Sequence, residues 1–357
     1  MPTLFDPIRL GAIGAPNRIF MAPMTRGRAT ANHVPTPMMA TYYRQRASAG
    51  LILTEAIGIS LASLAWPYAA GIWNAEQVEG WRAITAAVHE SGGRIVAQLW
   101  HMGRLTHSSF SGRGQPVSAS ATTAPGLAQT YEGKLPYEQA RPLQQSEIRA
   151  LIDDYFNAAS NAIRAGFDAV QIHAANGYLL DQFLRSSSNL RCDQYGGAPE
   201  NRVRLLKEVT MAIAQAVGAD RTAVRLSPNG EIKGVNDDNP EELFVIAAKM
   251  LSDIGVAFLE LREPDLDGTN GKADRPPIAP LMRKAFAGPM VLNADYDAHK
   301  GQAALDAGRA DAISFGRHFI ANPDRPERFA RGIAPTKSDP ATWYSRGAEG
   351  YTDFASD

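Results

Sequence analysis

The stretch AVQIHAANGY, residues 169–178, is a short apolar run that ends in a group of polar side chains. Its first part, Ala169–His173, is typical of a buried parallel strand. Seven other runs of similar length and character occur along the chain: Arg18–Met24, Leu51–Glu55, Arg94–Leu99, Ala223–Leu226, Ala257–Leu261, Pro289–Leu292 and Ala312–Phe315. The sequence therefore predicts eight buried strands.

Amphipathic stretches with helix start and stop signals lie between these runs. Asn239 and Pro240 open one that ends at Gly255, for example. Strands alternating with helices predict an α/β protein that is a single (β/α)8 barrel over residues 1–357. An open doubly wound sheet is the alternative, but no GxGxxG motif or P-loop occurs. The long segment 101–145 is expected to be a lid over the barrel mouth.

The composition excludes several classes of protein. The 36 Lys and Arg residues nearly balance the 37 Asp and Glu residues, so no basic nucleic-acid-binding surface is expected. The lone cysteine, Cys192, allows no disulfide framework, cysteine metal cluster or iron–sulfur centre. The N-terminus lacks a signal-peptide pattern, and the uncharged residues 56–75 fit a buried strand end and loop better than a membrane span. We expect a cytoplasmic monomer or homodimer without a membrane partner.

Polar side chains follow most of the predicted strands. In a (β/α)8 barrel the carboxyl ends of the strands form the catalytic face. The densest group is His173, Asn176 and Tyr178. Neutral His and Asn can stabilise negative charge developing on a carbonyl oxygen, and Tyr can supply a proton. The competing interpretation is that His173 and Tyr178 are packing residues of the core, and spacing alone does not separate the two.

The last two strand ends indicate a phosphate site. The loops after the seventh and eighth strands bind phosphate in many barrels. Gly316 allows backbone N–H groups to approach an anion, and Arg317 adds positive charge. Arg317 is alternatively a surface ion-pair residue. The seven histidines form no HxH or HExxH pattern, so no metal site is expected.

Six segments in this order resemble the Old Yellow Enzyme family of FMN-dependent ene-reductases, in particular its N-ethylmaleimide and glycerol-trinitrate reductase branch. They are NRIFMAPMTR (17–26), AQLWHMGR (97–104), HAANGYLLDQFL (173–184), NLRCDQYGG (189–197) with ENR (200–202), VRLSP (224–228) and SFGRHFIANPD (314–324). The resemblance covers essentially the whole chain.

The resemblance implies non-covalent FMN at the barrel mouth and roles for individual residues. Pro23, Met24 and Ala56 would line the flavin, and Thr25 would tune it. Gln98 and Arg225 would bind its pyrimidine edge. Ala294, Gly316 and Arg317 would hold the phosphate. His173 and Asn176 would bind the substrate carbonyl, with Tyr178 as proton donor, and His173 would also contact the cofactor. The implied substrate pocket also includes Trp66, Trp100, Ile232 and Trp343.

The implied reaction is a ping-pong reduction of α,β-unsaturated carbonyl compounds by NADPH or NADH, with NADPH the expected donor. Maleimides, nitroalkenes and nitrate esters are further candidate substrates. Asp295 departs from the family pattern, in which many members have glycine at this position. Because a carboxylate beside the phosphate would repel it, we expect Asp295 to point away or its loop to be shifted. A flavin-free phosphate-binding isomerase or aldolase is the alternative function. It would need a base such as Glu55 or Glu260 on a strand end.

Overall fold

A computed structural model describes residues 1–110, 112, 114–269 and 271–354. Eight parallel strands close into a barrel, each hydrogen-bonded to its two neighbours. We number them β1 to β8: Ile19–Met21, Leu51–Gly58, Ile95–Trp100, Ala169–Ala174, Thr222–Leu226, Phe258–Arg262, Met290–Asn293 and Ala312–Phe315. The predicted α/β barrel is confirmed, and every predicted strand overlaps an observed one.

Helices connect the strands on the outside of the barrel. They span Pro37–Arg44, Ala75–Glu90, Gln145–Arg164, Leu179–Leu184, Pro199–Arg202, Arg204–Val217, Pro240–Ile254, Ala279–Ala285, Ala298–Asp306, Arg317–Ile320 and Arg325–Ala330. Several begin where the sequence predicts. The Asn239 side chain accepts the backbone N–H of Glu242, Pro240 occupies the first helical turn, and the left-handed Gly255 ends the helix.

The apolar core has three parts. The largest lies between the strands and the surrounding helices. A second fills the lower half of the barrel, where Phe20, Leu53 and Phe258 meet the hairpin Ile8–Leu10 and Ile13–Ala15. That hairpin closes the amino-terminal end of the barrel. A third cluster, which includes Ala56 and Trp100, lies at the opposite end, so the open mouth has its own apolar lining.

Three of the differences between the predicted and observed strand bounds bear on the barrel mouth. β1 ends at Met21 rather than Met24, because Pro23 has no N–H to donate to a neighbouring strand. β2 continues past Glu55 to Gly58 through a register shift between Leu53 and Ala56. β6 ends at Arg262, one residue later than predicted, so this strand end also carries a polar side chain.

The segment 101–145 has some regular structure of its own. Leu127–Thr130 and Gly133–Pro136 form an antiparallel hairpin, and Val117–Ser118 pairs in parallel with Arg141–Pro142. Its side chains Phe110 and Tyr137 belong to the apolar cluster at the mouth. Among the described residues, no helix is both long enough and apolar enough to cross a membrane.

Candidate active site

The turn after β4 brings the three central candidates of the sequence analysis to the mouth. Asn176 and Gly177 both have left-handed backbone, with φ of 60° and 78°, which Asn and Gly tolerate best. This turn brings Tyr178 against the end of its own strand. The Tyr178 ring lies edge-on to that of His173, with centroids 4.9 Å apart, and edge-on to that of Trp100 at 4.8 Å.

The surroundings set the protonation of both rings. Burial, together with the positive charge of Arg225, holds the pKa of His173 well below its usual value. The imidazole is therefore neutral at physiological pH. Burial also raises the pKa of Tyr178 above its ordinary value, with smaller contributions from Tyr137 and Tyr344. Tyr178 consequently keeps its proton.

Polar atoms at this place lack partners. Within the part of the chain that the structure describes, His173 Nδ1, Asn176 Oδ1 and Trp100 Nε1 are buried and make no hydrogen bond. Buried polar groups without partners are uncommon and costly. Three of them around one tyrosine indicate a binding site for a small polar ligand.

Three polar side chains stabilise the turn: those of Ser227, Asp181 and Arg185. The backbone N–H of Asn176 donates to Ser227 Oγ at 2.8 Å, and that of Gly177 donates to Asp181 Oδ2 at 2.9 Å. Arg185 Nε donates to Asp181 Oδ1 at 2.8 Å, and both side chains are fully buried. The left-handed turn is thus fixed by residues that do not reach the mouth.

A chain of polar side chains crosses the barrel beneath the mouth. Gln98 Nε2 donates to Gln171 Oε1 at 2.8 Å, and Gln171 Nε2 donates to Glu260 Oε2 at 2.8 Å. Glu260 forms an ion pair with Arg225, which also donates to Asn293 Oδ1 at 2.7 Å. Gln98 and Arg225, the predicted cofactor pair, therefore belong to one network.

The ends of β1, β7 and β8 meet at the predicted phosphate corner. A Cβ added to Gly316 would lie 3.8 Å from Met24 Sδ, so these two candidates are neighbours. Ala294 and Asp295 have φ of 126° and 29°, which is strained backbone for non-glycine residues. Strain of this kind commonly marks a functional loop.

Asp295 does not point away from this corner as expected. Its Oδ1 accepts a hydrogen bond from Arg317 Nη2 at 2.7 Å, and its Oδ2 accepts one from the Thr269 backbone N–H at 2.9 Å. The Asp295 carboxylate therefore forms an ion pair with the Arg317 guanidinium group, which is predicted to bind the phosphate. A glycine would adopt this backbone with less strain and would add no negative charge.

The implied pocket residues are only partly brought together. Trp66 and Trp100 both contact the apolar cluster at the mouth. The backbone of Ile232 lies against the turn, since a Cβ on Gly177 would come within 2.9 Å of the Ile232 oxygen. Trp343 is held through its carbonyl oxygen, which accepts from Arg26 and Arg28 at 3.0 and 2.7 Å. Pro23 and Thr25 are half-buried after β1.

Sequence reasoning missed several residues at the mouth. The Tyr344 ring packs on Trp66 with centroids 5.4 Å apart, and Tyr137 is buried beside the same cluster. Arg262 adds a second cation near Arg225, and burial lowers its pKa to about 10. Strand interiors are also less apolar than expected, because Gln171, Glu260 and Ser314 lie inside the barrel. Only the side-chain alternation of β6 could have indicated that Glu260 faces inward.

Both candidate bases of the alternative function are engaged. Glu55 Oε1 accepts a hydrogen bond from the Tyr43 hydroxyl at 3.2 Å, on the outer side of the barrel, and burial raises its pKa to about 7. Glu260 accepts from Gln171 and Ser314 and pairs with Arg225. A flavin-free isomerase or aldolase is not favoured.

The chain matches the model of the NADH:flavin oxidoreductase / NADH oxidase family over residues 3–335. A probable flavin mononucleotide-dependent alkene reductase of Leishmania infantum is 39% identical over 98% of this chain and 96% of that protein. The old yellow enzyme homologue of Zymomonas mobilis has 60% identity and a TM-score of 0.98, covering 99% of both chains. Morphinone reductase in complex with tetrahydroNAD has 43% identity and a TM-score of 0.94, covering 99% of this chain and 98% of that one.

These likenesses define the class of protein as a flavin-dependent oxidoreductase. The chain belongs to the NADH:flavin oxidoreductase / NADH oxidase family, and the resemblance to Old Yellow Enzyme ene-reductases is confirmed. The prediction of FMN as cofactor and of activated C=C bonds as the target is confirmed with it. The unpartnered His173 and Asn176 atoms and the small Gly316 beside Met24 are consistent with a bound planar cofactor at this mouth.

Proposed function

We propose that this chain reduces the C=C bond of α,β-unsaturated carbonyl compounds by a ping-pong reaction, with NADPH as the preferred reductant. The family and its relatives support the reaction class. The observation that carries the assignment to particular residues is the set of unpartnered atoms on His173, Asn176 and Trp100 around Tyr178. Among the described residues, these atoms are buried and have no hydrogen-bond partner.

FMN, when bound, supplies the hydride chemistry between the nicotinamide and the alkene. Gln98 and Arg225 would hold its pyrimidine edge, Thr25 would contact and tune its ring, and Pro23, Met24 and Ala56 would line it. The phosphate would be held by three residues at the ends of β7 and β8: Ala294, Gly316 and Arg317. Arg317 must exchange its contact with Asp295 for the phosphate.

His173 and Asn176 are the proposed binding groups for the substrate carbonyl. A neutral imidazole offers one N–H donor, and its low pKa keeps it neutral. The Asn176 amide exchanges its oxygen and nitrogen on a 180° turn, so it can also present a donor. Two donors aimed at one oxygen stabilise the negative charge that develops there as the double bond is attacked.

Tyr178 is the proposed proton donor to the α-carbon of the substrate. It lies between His173 and Trp100, so its position is fixed by two ring contacts. Burial raises its pKa, so the phenol stays protonated until it transfers its proton to the α-carbon of the substrate. Tyr178 is then reprotonated from solvent.

An aromatic pocket is proposed to select the substrate. Trp66, Trp100, Ile232 and Trp343 were implied by the resemblance, and Tyr344 joins them through its contact with Trp66. We also propose that segment 101–145 acts as a lid, because Phe110 and Tyr137 pack into the cluster at the mouth. Flat activated alkenes such as cyclic enones and maleimides suit such a pocket, with nitroalkenes and nitrate esters as further candidates.

Anaerobic stopped-flow absorbance tests the proposal. The purified holoenzyme is reduced with NADPH or NADH, and the reduced enzyme is then mixed with 2-cyclohexenone, N-ethylmaleimide or a nitrate ester. We expect bleaching of the flavin band with either nicotinamide, faster with NADPH, and its return with the enone. The proposal is contradicted if the protein purifies without flavin, or if none of these substrates reoxidises the reduced flavin.

A further inference from the structure

One carboxylate inside the barrel has no part in the roles described above. Glu260, in the middle of β6, is fully buried. Its Oε2 accepts from Gln171 Nε2 at 2.8 Å, and its Oε1 accepts from the Ser314 hydroxyl at 2.5 Å and contacts Arg225. Every partner is a donor, which suits an ionised carboxylate.

Its position relative to Arg225 follows from the strand register. Arg225 of β5 is directly opposite Glu260 of β6 on one side and opposite His173 of β4 on the other. Arg225 therefore has His173 on one side and the buried Glu260 carboxylate on the other, at the same level of the barrel. Inside a protein, where charges are poorly screened, this anion offsets much of the field of Arg225.

The same carboxylate also sets the direction of the amide chain. Because an ionised carboxylate only accepts hydrogen bonds, Gln171 must turn its nitrogen toward Glu260. The Gln171 oxygen then accepts from Gln98 Nε2. Because the Gln98 nitrogen donates to Gln171, the Gln98 oxygen is the end of the amide that can accept a hydrogen bond from a ligand.

We propose that Glu260 is a positioning residue that lowers the reduction potential of the bound FMN by compensating the charge of Arg225 and orienting Gln98. This inference rests on the proposed function, because it needs Arg225 to lie beside the flavin. A fixed cation there stabilises the negative charge of the reduced cofactor and raises its potential. A buried anion paired with that cation has the opposite effect.

The test is the midpoint potential of the FMN in the holoenzyme, measured by equilibration with a reference dye during slow reduction. Glu260→Gln keeps the shape and removes the charge, so the potential is expected to rise relative to the unmodified enzyme. Reduction by NADPH should become faster and reoxidation by 2-cyclohexenone slower. Glu79→Gln is the matched control, since Glu79 is an exposed carboxylate that pairs with Arg82 on the outer surface, and its potential should not move.

The outcomes separate the two proposals. If the unmodified protein contains no flavin or does not reduce enones, the proposed function is contradicted. A flavin-containing Glu260→Gln enzyme whose potential is unchanged or lower overturns the inference about Glu260 alone. Weaker FMN binding with an unchanged potential also overturns it, because that result is what a merely structural role would produce.

A second variant covers failure of Glu260→Gln to fold, since it leaves Arg225 buried without its anion. Ser314→Ala removes the hydroxyl that donates to Glu260, so more of the carboxylate's charge acts on Arg225. The potential is then expected to fall, opposite to the effect of Glu260→Gln. An unchanged or raised potential in Ser314→Ala overturns the inference as well.

Discussion

The Tyr178 ring stands edge-on to the His173 ring, with their centroids 4.9 Å apart. The two residues lie on opposite sides of a left-handed turn, and their pKa values are shifted in opposite directions. Burial makes the imidazole a weaker base and the phenol a weaker acid. Both groups are therefore neutral near pH 7. Polarisation of a carbonyl needs a hydrogen-bond donor for its oxygen, which the neutral His173 can supply. Proton transfer to carbon needs a protonated acid, which Tyr178 can supply.

His173 is testable through phenol binding. A phenolate that stacks on the flavin of the holoenzyme should give a long-wavelength charge-transfer band, with its oxygen bound by His173 and Asn176. We expect His173→Ala to abolish this band at phenol concentrations that saturate the unmodified enzyme, as followed by absorbance titration. A band of unchanged strength would mean that His173 does not bind the ligand oxygen.

Ser227 is testable as a support for the same turn. Ser227→Ala leaves the partly buried backbone N–H of Asn176 without its acceptor, and such a loss costs about 1–3 kcal/mol. We expect phenol and enone affinity to fall about fivefold or more, while flavin reduction by NADPH stays near normal. Ser160→Ala is a matched control, because that hydroxyl only bonds Phe156 within an outer helix. Equal affinities for both variants would show that Ser227 does not control the turn.

Asp295 is expected to oppose cofactor binding. Its carboxylate holds Arg317, and the pair is partly exposed, so it contributes about 0–1 kcal/mol. Asp295→Asn frees Arg317 and removes repulsion of the phosphate. We expect the apoprotein to bind FMN about three- to tenfold more tightly, as measured by quenching of FMN fluorescence.

The neighbouring exposed carboxylate Asp265 supplies the control for that measurement. It pairs with Lys300 rather than with Arg317, so Asp265→Asn should leave FMN affinity unchanged. Weaker FMN binding by Asp295→Asn would instead mean that Asp295 positions Arg317 for the phosphate.

His101 predicts a loss of stability in mild acid. Burial lowers its pKa to about 3, from an ordinary value of 6.5. Below pH 6.5 the unfolded chain binds a proton that the folded chain does not, so the free energy of unfolding falls by up to about 1.4 kcal/mol per pH unit. Glu55 acts in the opposite direction, because its raised pKa lets the folded chain take up a proton first as the pH falls.

The His101→Gln variant separates these two effects. Its amide oxygen can still accept the Gly103 N–H that now donates to His101 Nδ1. Thermal unfolding at pH 7.5 and pH 5 should show a smaller loss for the variant than for the unmodified protein. Equal losses would mean that His101 is protonated in the folded state.

The sequence predicted the barrel and its catalytic face because both follow from local patterns. Eight apolar runs bounded by turn residues define the strands, and the polar residues that follow most of these runs identify the mouth. His173, Asn176 and Tyr178 could be found this way because six consecutive residues, 173–178, bring them together. Gly316 and Met24 required only the rule that the first and last strands of a closed barrel are neighbours.

The remaining features depend on contacts that no local pattern contains. The pairing of Glu260 with Arg225 requires the register of β5 against β6. The contact of Tyr344 with Trp66 joins two residues that lie far apart in the chain. Asp295 was recognised as unusual, but its hold on Arg317 depends on the strained backbone at Ala294 and Asp295 and on Thr269 from another loop.

The most direct test of the account is stopped-flow kinetics of Tyr178→Phe, with the two half-reactions measured separately under anaerobic conditions. Loss of a positioned proton donor is expected to slow reoxidation of the reduced flavin by 2-cyclohexenone about 10²–10⁴-fold. Reduction of the flavin by NADPH should stay near that of the unmodified enzyme. Unchanged reoxidation by the enone, or a collapse of flavin reduction instead, would contradict the role of Tyr178 and with it the assigned site.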